Sequence, residues 1–285
     1  MAFAPSPPRI RDLAEAVLRT VSELDENYRA NAALPQFLQS TYYTPPAPNR
    51  TAFNRAFQTD LDFYAYCNTH DPARAERFAK AMLRVTKAND GLLDGISFFQ
   101  DTSSTCDGLV IDVAGGFGHA CFAIAQRYPN VRFIVQDHPT VIEKAKTATP
   151  ADLDARLTFQ ERDILSSDLS IPADWQHLPR CFLLKLILHD WSDEHCHRII
   201  RPLVDNIRSQ DKIIVIDTVL PEKDPTLSTA ISDLLTMSLF GGRHRNFQQF
   251  RTLFEEVDPT LTLRTCVEGT WNFDGYVAFE ACKLS

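Results

Sequence analysis

A cluster of three glycines follows an apolar run and could bring the backbone against a ligand. The stretch is DVAGGFGH, residues 112–119, in a chain with only ten glycines among its 285 residues. Glycine is needed where φ is positive or where another molecule must approach the backbone closely. A tight turn alone would also account for the cluster. If a ligand binds there, Gly116 and Gly118 are the closest contacts, and Ala114 stands where a third glycine is common.

Acidic residues follow the next two strand-like runs. Asp137 comes after Val131–Val135 and lies 19 residues beyond Gly118, and Asp163 comes after Leu157–Gln160. An acid at the distance of Asp137 can accept hydrogen bonds from both hydroxyls of a ribose, and Asp163 could meet an adenine amino group. Each acid alone is more often a helix cap or an ion-pair partner. Together, at successive strand ends, they favour a nucleoside site.

A histidine and an aspartate could form an acid–base pair. His189 follows the run Cys181–Leu186, which should bring its ring to the carboxyl edge of the sheet, where a ligand would bind. Asp217 ends the next run, Ile213–Asp217, and its carboxylate could hold His189 in one tautomer and stabilise the imidazolium. His189 could instead be satisfied in a loop or at the start of the helix near Ser192, and Asp217 could form a turn.

The neighbouring residues His195, Cys196 and His197 suggest a metal site at first sight. Neighbouring residues on a helix point about 100° apart, so His195 and Cys196 cannot converge on one ion as residues four positions apart can. A solvated helix face is the better explanation for the two histidines. We predict no metal site in this chain.

Composition and charge favour a small-molecule partner. The formal net charge is -8, whereas a protein that grips nucleic-acid backbones needs clustered Lys and Arg. No apolar run reaches the roughly 18 residues of a membrane span, and the first residues have no apolar signal-peptide core. Seven cysteines without a CxxC pair indicate reduced thiols rather than disulfides. We therefore expect a cytoplasmic protein that binds neither nucleic acid nor membrane.

The elements that must position these residues change in type near residue 102. Residues 1–102 are predicted to be helical, with helices at Ile10–Leu24 and Pro72–Lys87 and a proline-rich loop at Thr44–Arg50. Residues 103–285 alternate short apolar runs with amphipathic segments, which predicts a doubly wound α/β domain whose mostly parallel sheet has helices on both faces. The predicted strands are Leu109–Val113, Val131–Val135, Leu157–Gln160, Cys181–Leu186, Ile213–Asp217 and Tyr276–Cys282, and the predicted helices include His119–Tyr128 and Asp193–Arg208.

Longer motifs run through the second part of the chain. They are DVAGGFGH with QDHP after the second strand, LLKLILHDWSDEHC from Leu183 to Cys196, and SDLLTMSLFGGRHRNFQQF from Ser232 to Phe250. In this order they resemble the S-adenosylmethionine-dependent O-methyltransferases of plant and fungal natural-product biosynthesis. The segments TAFNRAFQTDLDFYAY and RFAKAM resemble the substrate-side helices of that family, so the resemblance covers the chain from about residue 20 onward.

The resemblance implies a seven-stranded, Rossmann-like class I methyltransferase sheet after a small helical N-terminal part. It implies S-adenosylmethionine as cofactor and a small hydroxylated, phenolic secondary metabolite as acceptor. The residues expected to line the cofactor site are Asp112, Ala114, Gly116, Gly118, Asp137, Asp163, Ile164 and Lys185. Those expected on the substrate side are Phe63, Met82, Asp190 and Met237, for which core packing is the alternative. By comparison with the family we expect the N-terminal winged-helix dimerisation region to be missing, so a homodimer stays an open expectation.

The implied chemistry is a displacement at a methyl group with proton removal by His189. Holding the acceptor oxygen in line with the methyl group can supply about 7 to 11 kcal/mol, and a general base contributes roughly 10²- to 10⁴-fold. Asp217 is the expected orienting acid. The family usually has a glutamate where this chain has His244. Because His244 could accept a hydrogen bond while neutral, or contact the substrate, we include it among the expected catalytic residues.

Two other functions remain open from the sequence. A methyltransferase-like protein could keep S-adenosylmethionine and catalyse a non-methylating cyclisation or rearrangement, with the sulfonium charge as stabiliser and His189, His244 and Arg243 as donors. A degenerate cofactor-binding or partner-binding subunit could have lost catalysis. Formation of S-adenosylhomocysteine from candidate phenols separates methyl transfer from the first alternative, and weak cofactor binding would mark the second.

Overall fold

The computed structural model of the protein describes residues 27–78, 82, 96, 98, 107–147, 149–150, 153–266 and 276–283. The chain divides into two units, Met1–Val85 with Met237–Gly241, and Thr86–Thr236 with Gly242–Ser285. The predicted domain boundary between residues 102 and 103 and the predicted helix Ile10–Leu24 lie outside the described residues.

The described part of the first unit consists mainly of helices. These are α1 (Tyr28–Ser40), α2 (Ala52–Phe57), α3 (Phe63–His70) and residues 72–78. Thr51 begins α2 with a capping box, and the carboxylate of Asp62 begins α3 by accepting a backbone hydrogen bond at 2.8 Å. The helix predicted from Pro72 is present over its described part, and the predicted loop at Thr44–Arg50 contains no helix.

The described part of the second unit contains a sheet of eight strands. The strands are β1 (Gly108–Val113), β2 (Val131–Asp137), β3 (Leu157–Glu161), β4 (Arg180–Lys185), β5 (Lys212–Leu220), β6 (Arg245–Asn246), β7 (Leu261–Thr265) and β8 (Tyr276–Lys283). The order across the sheet is β3-β2-β1-β4-β5-β8-β7, and β6 pairs with the end of β5. Among the described strand pairs, the two that include β8 are antiparallel and the other five are parallel. The predicted doubly wound, mostly parallel α/β fold is confirmed.

Helices cover both faces of this sheet. They are α4 (His119–Arg127), α5 (Pro139–Lys146), α6 (Asp193–Asn206) and α8 (Phe247–Val257). The helix α7 (Leu227–Phe240) comes between β5 and β6 in the chain, and its residues from Met237 onward belong to the first unit. Leu109 and Ile111 of β1 pack with residues of α6 and α8, whereas Val110 between them packs with residues of α4 and α5. Strands buried on both faces read as continuous apolar runs, which is why the sequence pattern located them. None of the described helices is long and apolar enough to cross a membrane.

The strand that carries Asp217 was predicted wrongly at its end. β5 does not stop at Asp217 but continues to Leu220, because Thr218 still pairs with β8 and Val219 with β6. The strands β6 and β7 were not predicted from the sequence. Beyond β4 the chain leaves the sheet through Leu186, which has a left-handed φ of 60° and donates its N–H to the Ile216 carbonyl at 2.7 Å.

Candidate active site

The glycine loop after β1 is open at Gly116. This residue has a φ of 59°, and a Cβ added to it would meet no atom within 4 Å. Ala114 is also left-handed, with a φ of 55°, and Gly118 begins α4 with a φ of 78°. The Gly116 N–H donates to Asp137 Oδ2 at 2.8 Å. The backbone is therefore bent and uncovered beside the carboxylate that ends β2.

Asp137 is anchored to the backbone through both carboxylate oxygens. Oδ2 accepts the Gly116 N–H, and Oδ1 accepts the His138 N–H at 2.7 Å. Burial raises the pKa of Asp137, although these two hydrogen bonds oppose the rise. A carboxylate has about four acceptor positions, so two further hydrogen bonds can be accepted from a ligand.

Asp112 and Lys185 lie at the ends of adjacent strands. Asp112 is buried and accepts a hydrogen bond from the Cys121 thiol at 3.4 Å. Burial raises the pKa of Asp112 to about 7, although the Cys121 hydrogen bond and the charge of Lys185 oppose the rise. Lys185 is itself buried at the end of β4. The structure thus brings these two predicted cofactor residues within electrostatic range of each other.

The remaining predicted cofactor residues lie in the loop after β3. Asp163 is exposed, and its Oδ1 accepts the Leu165 N–H at 2.9 Å. Ile164 is half-buried and packs against the core of the sheet. The loop is tied down by Arg162, a buried residue that sequence analysis did not single out and that donates to the Ser166 carbonyl at 2.7 Å. Because β3 neighbours β2, Asp163 and Asp137 lie at the same edge of the sheet.

His189 lies between two carboxylates on the turn Leu188–Asp190 after β4. Its Nδ1 is 2.5 Å from Asp217 Oδ1, and its Nε2 is 3.3 Å from Asp190 Oδ1. Asp217 is fully buried and also accepts the backbone N–H groups of His189 and Thr218, at 3.2 and 2.8 Å. The His189 side chain keeps 16% of its surface exposed. The structure thus brings His189 and Asp217 together and leaves part of the ring accessible.

The two carboxylates make His189 a strong base. Burial of the ring lowers its pKa, but the charges of Asp217 and Asp190 and the hydrogen bond to Asp217 outweigh burial and raise the pKa of His189 to about 9. Burial raises the pKa of Asp217, but the charge and hydrogen bond of His189 outweigh it and leave that pKa lowered. The pair is therefore an imidazolium and a carboxylate at neutral pH in this structure.

His244 stands beside His189 as a neutral ring. The two ring centroids are 5.4 Å apart at a nearly perpendicular angle. The His244 backbone N–H donates to Asp233 Oδ1 at 2.7 Å, and Nε2 lies 3.2 Å from Thr236 Oγ1. Its Nδ1 is buried without a hydrogen-bond partner among the described residues. Burial and the charge of His189 lower the pKa of His244 to about 4, so it carries no charge at neutral pH.

Three of the four predicted substrate residues belong to the first unit. Phe63 is buried and packs edge to face against Phe53 and Phe240, with ring centroids 5.3 and 5.1 Å apart. Met237 packs against the buried cluster that contains Phe37. Met82 is 37% exposed. Asp190 alone belongs to the second unit, on the Nε2 side of His189.

The residues His195, Cys196 and His197 point in different directions from α6. Cys196 is buried and donates its thiol hydrogen to the Leu188 carbonyl at 3.3 Å. His195 and His197 are half-exposed, and His197 pairs with Glu256 at 3.0 Å. Among the residues that the structure describes, no group of His, Cys, Asp or Glu side chains is arranged to hold a metal ion.

Residues 47–257 match the O-methyltransferase domain in a comparison with known protein families. The chain belongs to the O-methyltransferase domain family. The resemblance stated from the sequence is thereby confirmed. One relative of this family is the O-methyltransferase SAT18 of Stachybotrys chartarum, which is 39% identical over 264 residues, 91% of this chain and 64% of the relative. The chain thus spans less than two thirds of the length of that family member.

Two solved structures resemble the described fold of this O-methyltransferase domain. One is a complex of LepI with SAM, with a TM-score of 0.76 and 24% identity over 96% of this chain and 68% of that one. The other is described as a pericyclic reaction enzyme, with a TM-score of 0.77 and 24% identity over the same shares of the two chains. At this identity the likeness concerns the fold, and it agrees with a methyltransferase-type sheet.

Besides Arg162, three residues that shape the site of this O-methyltransferase domain were not predicted from the sequence. A Cβ at Gly115 would lie 2.5 Å from the Asp112 carboxylate, so this glycine allows the loop to pass over Asp112. Gly242 and Arg245 contact the turn that carries His189. Both belong to the GG-x-x-R element of the family resemblance, which was the available signal. That element identified the family without indicating what its residues contact.

Proposed function

We propose that the chain is an S-adenosylmethionine-dependent O-methyltransferase whose acceptor is a small hydroxylated, phenolic secondary metabolite. The observation that carries the proposal is the contact of His189 Nδ1 with Asp217 Oδ1 at 2.5 Å, on the same sheet edge as the glycine loop and Asp137. This arrangement supports a carboxylate-oriented base beside a nucleoside-type site. The name of the Stachybotrys relative supports the same activity.

The residues at the ends of β1 to β4 fit S-adenosylmethionine. Gly116 faces open space where a flat nucleoside could approach, and Asp137 has acceptor capacity for the two ribose hydroxyls. Asp163, at the next strand end, suits the adenine amino group. Asp112 and Lys185 offer opposite charges for the carboxylate and ammonium groups of the methionine part. When bound, this cofactor supplies an electrophilic methyl group on a positively charged sulfur.

The part of His189 is proton removal from the acceptor hydroxyl. Its Nδ1–H donates to Asp217 Oδ1, so Nε2 is the nitrogen that takes the proton. Asp190 Oδ1 is 3.3 Å from Nε2, so this carboxylate must move aside for an acceptor hydroxyl to reach the nitrogen. The buried ring of His244 packs beside the His189 ring and excludes water from the space between the two rings.

The raised pKa of His189 changes the energetics of proton transfer. A phenol of pKa near 10 facing an ordinary histidine costs about 5 kcal/mol for full transfer, whereas the cost falls to about 1 kcal/mol when the pKa of the base is about 9. The same raised pKa has a cost, because only about 1% of His189 is neutral, and so able to accept a proton, at pH 7. A cation bound beside the ring would lower the pKa of His189 and increase that fraction.

The experiment that tests the proposal is incubation of the protein with S-adenosylmethionine and a panel of phenols. We expect S-adenosylhomocysteine and a methylated phenol to form in equal amounts, and kcat/KM to rise with pH up to about 9, where the free His189 titrates. Cofactor consumption without a methylated product, or no consumption with any acceptor, would contradict methyl transfer.

Replacing Asp137 with alanine is expected to weaken S-adenosylhomocysteine binding about 30-fold. The change removes charge-assisted hydrogen bonds to the ribose and the anchor of the Gly116 N–H, a loss of about 2 kcal/mol. Titration calorimetry measures the affinity, and Asp174→Ala, an exposed aspartate in the turn Ala173–Trp175, is the control. Equal affinity in both variants would remove Asp137 from the cofactor site.

A second function is favoured by His244. This neutral ring stands where the family usually has a glutamate, and one similar fold is described as a pericyclic reaction enzyme. The chain could bind S-adenosylmethionine without consuming it and use the His189 imidazolium to polarise a substrate carbonyl during a cyclisation or rearrangement. This function predicts isomerised product, dependence on the cofactor, and no S-adenosylhomocysteine in the same assay.

The variant His244→Glu tests what the neutral ring does. A glutamate carboxylate at about the 5.4 Å ring separation would interact with the His189 imidazolium by about 3 kcal/mol at an effective dielectric constant of about 20. The acid limb of the pH–rate profile should then move up by about two pH units. His244→Gln, of similar size and neutral, should leave the limb in place. An unchanged limb in His244→Glu would mean that the two side chains do not interact electrostatically.

A further inference from the structure

The turn that carries His189 is held by hydrogen bonds from one buried guanidinium. Arg245 has no solvent exposure, and its Nη1 and Nη2 donate to the carbonyls of Leu188 and Trp191, each at 2.8 Å. These carbonyls lie immediately before His189 and two residues after it. The planar fork of a guanidinium fixes two acceptors in a set geometry, which the single ammonium of a lysine cannot do.

The same guanidinium is itself held in place from outside the turn. Nε and Nη2 of Arg245 donate to Asp193 Oδ1 at 3.0 and 2.6 Å, in the first turn of α6. Its backbone belongs to β6, where it pairs with Val219, two residues beyond Asp217 on β5. Arg245 therefore connects the strand of the orienting acid with the turn of the base.

The backbone of the turn is also in close contact with Gly242. A Cβ at this position would lie 2.0 Å from the His189 carbonyl oxygen and 2.5 Å from the Asp190 carbonyl carbon. No side chain fits there without moving the turn. Gly242 thus lies against the backbone of His189 and Asp190, and Arg245 binds the carbonyls that flank these two residues.

We infer that Arg245, together with Gly242, is a positioning residue that fixes the His189 turn so that Nδ1 stays on Asp217 Oδ1 while Nε2 faces the acceptor. The inference rests on the proposed function for its catalytic meaning. Burying a guanidinium costs several kcal/mol in desolvation, and apolar residues of similar volume often serve stability equally well. A purely structural role would therefore not require this residue type at a fully buried position.

Arg245 also affects His189 through its charge, in addition to positioning the turn. Its positive charge lowers the pKa of His189, against the two carboxylates that raise it. Loss of the charge should raise the pKa of His189, whereas loss of the fork alone should keep this charge effect and misplace the ring. The two effects can be separated with two substitutions at one position.

The experiment compares Arg245→Lys and Arg245→Met with Arg208→Lys as a matched control. The guanidinium of Arg208, which precedes β5, also donates to two backbone carbonyls and one carboxylate. The carbonyls are those of Gln176 and Leu178, and the carboxylate is that of Asp211. In Arg245→Lys we expect kcat to fall about 30-fold at unchanged cofactor affinity, since a displacement of about 1 Å can cost up to 100-fold. In Arg245→Met the acid limb of the pH–rate profile should also move to higher pH. Arg208→Lys should change thermal stability alone.

The state of His189 is read directly by NMR of histidine-labelled protein without cofactor or acceptor. We expect the Nδ1–H signal of the Asp217 hydrogen bond to be lost or shifted in Arg245→Lys and to persist in Arg208→Lys. If the Arg245 variants do not fold, Gly242→Ala is the deciding variant, because the added methyl group displaces the backbone of the same turn. An unshifted His189 signal in the folded variants would overturn the inference.

The two proposals fail separately in this design. A shifted His189 signal in a protein that methylates no acceptor would support positioning by Arg245 and contradict the proposed methyl transfer. Methyl transfer at the wild-type rate in Arg245→Lys, with an unshifted signal, would contradict positioning and leave the proposed function intact.

Discussion

Replacing His189 with alanine is expected to lower kcat for methyl transfer by roughly 10²- to 10⁴-fold, the contribution of a positioned general base. The affinity for S-adenosylhomocysteine should change little, because the glycine loop and Asp137 are held by their own hydrogen bonds. Initial rates of S-adenosylhomocysteine formation and titration calorimetry measure the two quantities. His197→Ala, which removes a half-exposed histidine of α6, is the control.

The acidity of the acceptor gives the His189 prediction its strongest test. A phenol that is already ionised at the assay pH needs no base, so the defect of His189→Ala should shrink with acceptors of lower pKa. Added imidazole should restore part of the rate with weakly acidic phenols and none with ionised ones. A defect of equal size across the whole series would mean that His189 does not remove the proton.

The second large effect is expected from Asp217→Asn, with kcat reduced by up to the roughly 10²- to 10⁴-fold contribution of the general base that Asp217 orients. Both oxygens of Asp217 accept backbone N–H groups, from His189 and Thr218, so the amide nitrogen of an asparagine must face a donor on one side. One buried donor is then left unsatisfied, at about 1 to 3 kcal/mol. Loss of the carboxylate charge should also lower the pKa of His189 from about 9 and move the acid limb of the pH–rate profile to lower pH.

The same pair predicts how stability depends on pH. A group whose pKa is raised on folding contributes stability below its unfolded pKa, and this contribution is lost as pH rises through the folded value. For His189 the window lies between about pH 6.5 and about 9. Thermal unfolding should therefore lose stability across this window in the wild type and much less in Asp217→Asn.

Asp211→Asn is the matched control for Asp217→Asn. Asp211 is equally buried and accepts the backbone N–H groups of Arg180 and Arg208, at 2.9 and 3.0 Å. Its replacement should cost stability without moving the pH–rate profile. If both variants lose activity in proportion to their stability, Asp217 holds the fold and does not orient His189.

The glycine loop and the pair at the sheet edge could be predicted because they depend on local order in the chain. Strands buried on both faces give unbroken apolar runs, and the residues that follow such runs meet at one edge of a parallel sheet. This placed Asp137 and His189 at the same edge before any contact was known. The sequence could not give the distances between them, which depend on packing.

The parts that escaped prediction depend on tertiary pairing. The strand β6 has only two residues, Arg245 and Asn246, and so carries no periodic signal. The extension of β5 beyond Asp217 depends on β6 and β8 lying alongside it. Arginine is usually an exposed residue, so nothing in the sequence indicated that Arg245 is buried against the turn of His189.

The position of β8 in the sheet affects how the protein folds during its synthesis. Residues 276–283 are the last described strand in the chain, yet they lie in the interior of the sheet, between β5 and β7. On the ribosome, β5 therefore presents an unpaired edge until this late segment emerges, and such edges invite association with other chains. Nascent chains that stop before residue 276 should be the aggregation-prone species, because the unpaired edge of β5 can pair with strands of other chains.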